Sequence, residues 1–387
     1  MDFHGIRVLL LDGFCRQIAI LLKEMHDLGC VVTTLCASKL DVGYVSRYPA
    51  KRIVDRRFHG DIAYYRDLIF QLAQSGKYDV IFPVIEESTE ICAKERRALE
   101  KHVKVVAPPL EAFKKAHDKQ LTMMLCMENG IPCPRTKRDD ETLDAFLADV
   151  HYPLALKPRQ GRGSVGFKKV DSRKELDDLL DSGEVRMNEY VIQEFVAQAE
   201  THRVSYTVID QNDRVVSSMI AKSTRPYPLV VGTNSLFESV QMPEVAEQAE
   251  RLLQLMGWQG YASVCFIESD MDRTPKVMEI NGRISASFKI SVLAGLPIVR
   301  QLLEMAYGEA VTPMPSVLKY GMRVAHTQSS FMWFVKSKDR FRKEERESPG
   351  VHTRDIVFSV KDPLPWISYS LQCLGKYRSE MGKRKRQ

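Results

Sequence analysis

One stretch decides the fold of this chain: Leu154-Ala155-Leu156-Lys157-Pro158-Arg159-Gln160-Gly161-Arg162-Gly163-Ser164-Val165-Gly166. An apolar strand delivers one lysine, and a loop with three glycines follows. Glycine has no Cβ and accepts positive φ angles, so successive backbone N–H groups can approach an anion closely. Lys157 adds a point charge that suits phosphate. A Walker A loop is excluded, because the lysine precedes the glycines. The stretch predicts a phosphate-binding loop, although a glycine-rich hairpin turn would look the same in isolation.

Two later segments favour the phosphate interpretation. Gln193, Glu194 and Val196 end a strand whose polar side chain and backbone edge suit adenine, and Glu200 follows as an acceptor for ribose hydroxyls. In Lys276-Val277-Met278-Glu279-Ile280-Asn281-Gly282-Arg283, Glu279 and Asn281 are two residues apart and therefore share one face of a strand. Oxygen ligands on one face suit Mg²⁺ between nucleotide phosphates, and Arg283 on that face can clamp a phosphoryl group.

The first ~110 residues alternate strand and helix signals, which is typical of an open parallel sheet in a Rossmann-like α/β domain. The first turn, Asp12-Gly13, lacks GxGxxG, so a nicotinamide or flavin site is not supported. Pro108-Pro109 closes this part, and one helix is predicted from Leu110 to Asn129.

In this order and spacing, the segments resemble the ATP-grasp superfamily over roughly residues 1 to 310, most closely its carboxylate-amine ligases and short carbamoyl-phosphate-synthase-like proteins. The resemblance implies a fold class of α/β, with a Rossmann-like pre-ATP-grasp domain before a two-part ATP-grasp fold (a small lid domain and a larger α+β domain). The implied boundaries are 1–108 for the N-terminal domain, 109–192 for the lid, 193–320 for the metal-binding subdomain and 321–387 for a basic C-terminal extension.

The resemblance also implies roles for individual residues. Lys157 and Arg283 act in catalysis, with Arg283 stabilising an acyl phosphate. The implied ATP-binding residues are Lys119, Lys157, Gly161, Gly163, Ser164, Gln193, Glu194, Val196 and Glu200. Glu279 and Asn281 hold Mg²⁺ (or Mn²⁺).

One position departs from the family pattern. The family usually carries an acidic metal ligand on the strand before Glu279, and in this chain Cys265 or a neighbour occupies that position. A thiol is a poor ligand for a hard cation. Glu268 or Asp270 is the predicted substitute ligand if the strand register differs. Otherwise one metal site is weakened or catalysis is lost.

The implied activity is an ATP-dependent ligase that joins a small-molecule carboxylate to an amine through an acyl phosphate. The alternatives are an ATP-grasp carboxylase or phosphotransferase, and a nucleotide-binding protein with reduced or no catalysis. Lys222, Arg225 and Ser285 are the predicted substrate-binding residues. A cell-envelope glycan precursor is one candidate substrate.

Composition and charge indicate which classes of binding partner to expect. The net charge is only +6, and the basic residues of the core alternate with acids, so nucleic-acid binding is not expected. Eight scattered cysteines without a CxxC pair favour a reduced, cytoplasmic protein.

Basic residues collect near the C-terminus beside an apolar stripe, Trp366, Ile367, Leu371, Leu374 and Tyr377. That stripe predicts a face docked on the body, or else peripheral contact with the inner face of a membrane. A homodimer is one possible assembly.

Overall fold

The computed structural model describes residues 1–161, 165–227, 229, 233–270, 273–341 and 352–384, with the backbone alone for 198–201 and 376–384. The N-terminal part is a five-stranded sheet in the order β3-β2-β1-β4-β5 with every pairing parallel, as the sequence predicts. Its strands are β1 (Arg7–Leu10), β2 (Val31–Cys36), β3 (Lys51–Val54), β4 (Val80–Phe82) and β5 (Lys104–Val105). Its helices are α1 (Ile18–Asp27), α2 (Val42–Val45), α3 (Ile62–Gln74), α4 (Glu86–Lys94) and α5 (Arg96–Leu99).

Both faces of this sheet are covered. Along β1, Val8 and Leu10 belong to one hydrophobic core, while Leu9 belongs to another on the opposite face. Alternate side chains of a strand point to opposite faces, so a strand buried on both sides is apolar throughout.

The single helix predicted from Leu110 to Asn129 is wrong in one respect. The chain forms α6 (Leu110–His117) and α7 (Lys119–Glu128), separated at Asp118, which has an extended backbone (φ −94°, ψ 110°). The Asp118 carboxylate accepts hydrogen bonds from the backbone N of Gln120 (2.8 Å) and Leu121 (3.4 Å), which caps the second helix. Lys119 is therefore the first helical residue.

A small antiparallel sheet, β7-β6-β8, follows. It comprises β6 (Leu154–Pro158), β7 (Lys168–Val170) and β8 (Tyr190–Glu194), covered by α8 (Leu143–Asp149) and α9 (Arg173–Asp181). Phe146, Leu154, Leu156, Leu176 and Ile192 form its own core.

The largest sheet has seven strands in the order β13-β12-β9-β10-β11-β14-β15. They are β9 (Gln198–Ile209), β10 (Val215–Tyr227), β11 (Thr233–Val240), β12 (Gly260–Ser269), β13 (Pro275–Asn281), β14 (Arg323–Ala325) and β15 (Thr353–Asp355). One face packs on α10 (Pro243–Leu255); the other packs on α11 (Lys289–Ala294), α12 (Ile298–Tyr307) and the N-terminal domain.

The C-terminal segment is part of the body, since β14 and β15 extend the seven-stranded sheet. Between and after them lie α13 (Thr327–Lys336) and α14 (Leu364–Arg384), and α14 packs against α2. Buried Asp362 accepts hydrogen bonds from Ser46 Oγ at 2.6 Å and Arg47 N at 3.1 Å, which ties the segment to the N-terminal domain. Within the described ranges, no helix is both long and apolar enough to cross a bilayer.

Candidate active site

A cavity of about 330 Å³ lies where the three sheets meet. The small sheet contributes Ala155 and Lys157, the large sheet contributes Cys265 and Glu279, and the N-terminal domain contributes Arg16. Ligand cavities of this kind are common at domain interfaces. The predicted residues that line it are Lys119, Lys157, Gly161, Glu194, Val196, Glu279, Asn281, Arg283 and Ser285.

Two lysines converge on the glycine loop from different elements. Lys119, at the first position of α7, donates from Nζ to the Gly161 carbonyl at 3.0 Å. Its backbone N donates to the Arg159 carbonyl at 2.9 Å, and Arg159 pairs with Asp118 at 3.0 Å. The cap that starts α7 therefore also anchors the loop that follows β6.

Lys157 is a half-buried cation that lines the cavity. Burial lowers the pKa of Lys157 to about 8; the charge of Glu279 opposes this, and that of Lys119 adds to it. Burial also lowers the pKa of Lys119. Two desolvated lysines beside one carboxylate favour a ligand with several negative charges.

The residues predicted to bind adenine do not all face the cavity. Glu194 and Val196 line the cavity, whereas the buried Gln193 donates from Nε2 to Thr136 Oγ1 at 2.7 Å and does not line it. The Glu194 carboxylate pairs with Lys276 at 2.5 Å, and its backbone N donates to the Arg135 carbonyl at 2.9 Å. Val196 lies beyond the end of β8, so its backbone is outside that strand's ladder.

The side chains of three residues predicted to bind ATP lie outside the described part of the structure. Gly163 and Ser164 are not among the described residues, and Glu200 is described by its backbone alone.

The strands β12 and β13 bring Cys265 directly opposite Glu279. Asn281 Nδ2 lies 3.4 Å from both Cys265 Sγ and Glu279 Oε1. Burial raises the pKa of the Cys265 thiol, and the charge of Glu279 raises it further. Cys265 is therefore a neutral thiol facing the predicted metal ligands.

The structure does not bring Glu268 to this face. Ser263, Cys265 and Ile267 line the cavity, so Glu268 points to the opposite side of the sheet, where it pairs with Arg203 at 3.0 Å. Asp270 lies beyond the end of β12, and its backbone N donates to the Ala197 carbonyl at 3.0 Å. The described residues contain no cluster of three or more His, Cys, Asp or Glu side chains able to hold a metal ion.

Arg283 joins the site to the N-terminal domain. Its Nε lies 3.0 Å from Glu86, at the start of α4, and its Nη2 donates to Asn281 Oδ1 at 3.0 Å. Burial alone would lower the pKa of Arg283, but the ion pair with Glu86 outweighs it and leaves that pKa raised. The guanidinium is thus held beside the cavity as a permanent cation.

Of the three predicted substrate-binding residues, one lines the cavity and two do not. Ser285 lines the cavity and accepts a hydrogen bond from the Tyr261 hydroxyl at 3.0 Å, next to the Ser287–Tyr206 hydroxyl pair at 2.6 Å. Lys222 and Arg225 do not line it. Lys222 faces away because its neighbour Ser223 faces inward. The guanidinium of Arg225 lies 5.2 Å from the centre of the Trp333 ring.

Arg16 and His202 are among the cavity residues that sequence reasoning missed. Burial, Arg203 and Lys157 lower the pKa of His202, which favours a neutral imidazole. One signal could have found Arg16: it follows the turn after β1, and open α/β sheets bind ligands beyond the carboxyl ends of their strands.

Comparison with known proteins agrees with this geometry. Residues 116–287 match the family model of the ATP-grasp domain. The chain is 27% identical over 184 residues to the D-alanine–D-alanine ligase of Cupriavidus taiwanensis, covering 43% of this chain and 54% of that protein. It is 24% identical over 336 residues to the carbamoyl phosphate synthase large chain of Xanthomonas campestris, covering 80% of this chain and 31% of that protein. The chain thus spans about half the length of the first of these relatives and a third of the second.

Among solved structures, a biotin carboxylase complex with β,γ-ATP from Campylobacter jejuni matches with a TM-score of 0.67 at 18% identity, covering 82% of this chain and 74% of that one. At this identity the likeness concerns the fold. Together with the match of residues 116–287 to the family model, it shows that the chain carries an ATP-grasp domain.

Proposed function

We propose that the protein is an ADP-forming ligase that joins a carboxylate to an amine through an acyl phosphate. The observation that carries this proposal is the arrangement of Lys157, Glu279, Asn281 and Arg283 around one cavity, with the cations beside the carboxylate and amide. The match of residues 116–287 to the ATP-grasp model and the similarity to a D-alanine–D-alanine ligase support an ATP-dependent ligase or carboxylase activity in general.

Each group has a role that follows from its placement. Lys119 and Lys157 bind nucleotide phosphates, with Gly161 providing close backbone approach in the left-handed region (φ 128°). Arg283 lies where it can stabilise charge on a transferring phosphoryl group, and Glu86 fixes its orientation. Catalysis of this kind depends on positioning and electrostatics, so a nucleophilic side chain is not required.

Glu279 and Asn281 fit Mg²⁺. Mg²⁺ in nucleotide sites takes one or two protein oxygens and completes its shell with phosphates and water. The Asn281 Oδ1 that accepts from Arg283 has a second lone pair, and Glu279 supplies a carboxylate on the same face. When bound, Mg²⁺ would offset the phosphate charge.

The test is ADP formation from ATP and Mg²⁺ with pools of acids and amines, and with hydroxylamine as a trap. We expect ADP formation to depend on both acid and amine, and hydroxamate to appear in the trap. Lys157→Ala and Glu279→Ala should each reduce turnover by roughly 100-fold or more without changing the circular dichroism spectrum. Full activity of either variant would contradict the site.

Two alternative functions would give different results in this assay. A carboxylase would form ADP with bicarbonate and without an amine, an outcome open to a fold shared with a biotin carboxylase. A nucleotide-binding protein without catalysis would bind ATP with no turnover, which the neutral Cys265 thiol beside Glu279 would favour.

We further propose that the C-terminal segment contacts an anionic membrane surface. The sequence indicates an apolar stripe on α14, and its members Ile367, Leu371 and Leu374 are exposed in the structure, as is Phe331 on α13. Basic residues accompany them: residues 321–387 hold 15 Lys and Arg against 7 Asp and Glu. Apolar side chains flanked by cations favour an anionic bilayer over a neutral one.

A further inference from the structure

Arg16 lines the cavity from the side of the N-terminal domain. It follows β1 and immediately precedes Gln17, whose Nε2 donates to the Ile284 carbonyl at 3.2 Å. That contact places Arg16 beside the segment that carries Arg283 and Ser285, at the edge of the large sheet. The adenine hinge belongs instead to the small sheet.

Arg16 and Arg283 differ in their ionic partners. Arg283 pairs with Glu86, but among the described residues no carboxylate lies within ion-pair distance of Arg16. Its neighbours on the C-terminal side are Tyr369 and His326, joined by a contact of 3.2 Å between Tyr369 Oη and His326 Nε2. Both lie close enough for the charge of Arg16 to affect their pKa values.

These two neighbours are neutral. Burial lowers the pKa of His326 to about 3, with Arg16 adding to the effect, so the imidazole is uncharged at ordinary pH. Burial raises the pKa of Tyr369, and Arg16 opposes this without reversing it. A guanidinium that lines a cavity among neutral hydroxyls and an imidazole presents donors to an incoming anion.

We propose that Arg16 binds a second carboxylate of the acid substrate, distant from the carboxylate that is phosphorylated. This inference rests on the proposed ligase function and adds a substrate class, a dicarboxylic acid. Arg283 and the lysines serve the reacting end, while Arg16 holds the distal carboxylate through paired N–H donors. Ser285 lines the same cavity and is neutral, so it can orient the substrate without adding charge.

The experiment compares acids in matched pairs, with ATP and Mg²⁺ present and hydroxylamine as the amine. Each pair is a dicarboxylate and its monoamide: succinate with succinamate, glutarate with glutaramate, and N-acetylglutamate with N-acetylglutamine. We expect ADP formation with at least one dicarboxylate and little with its monoamide. Arg16→Gln should reduce kcat/KM for that dicarboxylate roughly 10- to 100-fold, the usual effect of losing a charged hydrogen bond, while KM for ATP stays unchanged.

Two variants serve as controls. Arg97→Gln removes an exposed arginine of the same domain and should behave as the wild type. Arg16→Lys keeps the charge and should restore part of the lost kcat/KM. Thermal shifts with a non-hydrolysable ATP analogue and each acid report binding independently of turnover.

The outcomes separate the two proposals. If no dicarboxylate is preferred over its monoamide in turnover or thermal shift, or if Arg16→Gln keeps the preference, the assignment of Arg16 is wrong even where ADP still forms. If a dicarboxylate binds in an Arg16-dependent manner but no ADP or hydroxamate forms, the subsite stands and the ligase function fails.

Discussion

Lys157 is a half-buried lysine whose charge state should control nucleotide binding. Its pKa of about 8 lies well below the usual value for lysine because the side chain is desolvated. Nucleotide phosphates need the ammonium form. Above pH 8 the free protein must therefore take up a proton before it binds, and affinity should fall by up to about tenfold for each pH unit. We expect the Kd of an ATP analogue, measured by titration calorimetry, to stay level below pH 8 and to rise above it.

Lys157→Arg is the control for this prediction, because a guanidinium stays charged throughout the range. Its Kd should change little with pH. An equal slope in both proteins would show that another group is titrating.

We expect Cys265 to affect the metal requirement of the proposed reaction. Its thiol faces Glu279 across the β12–β13 pair and is neutral, so it adds little to a Mg²⁺ site. Cys265→Asp places an oxygen at this position, and the Mg²⁺ concentration for half-maximal ADP formation should fall severalfold. Cys265→Ser, which adds no charge, should have a smaller effect. An unchanged metal requirement in Cys265→Asp would mean that this position does not face the ion.

At the scale of elements, one buried carboxylate just before α14 ties this helix to the N-terminal domain. Asp362 accepts from Ser46 Oγ and Arg47 N, so Asp362→Ala leaves two donors without a partner. We expect the free energy of unfolding in urea to fall by roughly 1–3 kcal/mol, and proteolysis near the C-terminus to become faster. Lys361→Ala changes an exposed neighbour and should do neither. If Asp362→Ala is as stable as Lys361→Ala, α14 is held by other contacts.

At the scale of the whole molecule, charge is distributed unevenly. Residues 321–387 have eight more basic than acidic residues, whereas the complete chain has an excess of six. The protein should sediment with vesicles of phosphatidylglycerol and not with those of phosphatidylcholine. High salt should weaken this binding because it screens exposed charges.

The matched variants are Leu371→Glu, on the exposed apolar face of α14, and Leu255→Glu, at the end of α10. Both leucines are exposed, at 62% and 39%. Leu371→Glu should reduce vesicle binding and Leu255→Glu should not. Equal binding by both variants would exclude α14 as the contact.

Local pattern alone predicted the centre of the site. Lys157 and Gly161 are close in sequence, and Glu279 and Asn281 share a strand face by alternation, so no distant contact is needed to group each set. The alternation of strands and helices likewise predicted the N-terminal parallel sheet. The break at Asp118 was missed because the helical pattern of the sequence continues through this position. The capping role of the Asp118 carboxylate is visible only in the structure, where the side chain folds back on the next turn.

The tertiary structure determined which segments, distant in sequence, contact one another. Strand pairing put Cys265, and not Glu268, opposite Glu279, because register and side-chain alternation together choose the face. Packing of the N-terminal domain on the large sheet brought Glu86 to Arg283 and Arg16 to the cavity. By itself, the sequence determined the chemistry of each local motif, since neighbours along a strand or loop are neighbours in space. Only the fold determined which motifs share a cavity, since that depends on burial of apolar faces from segments far apart in the chain.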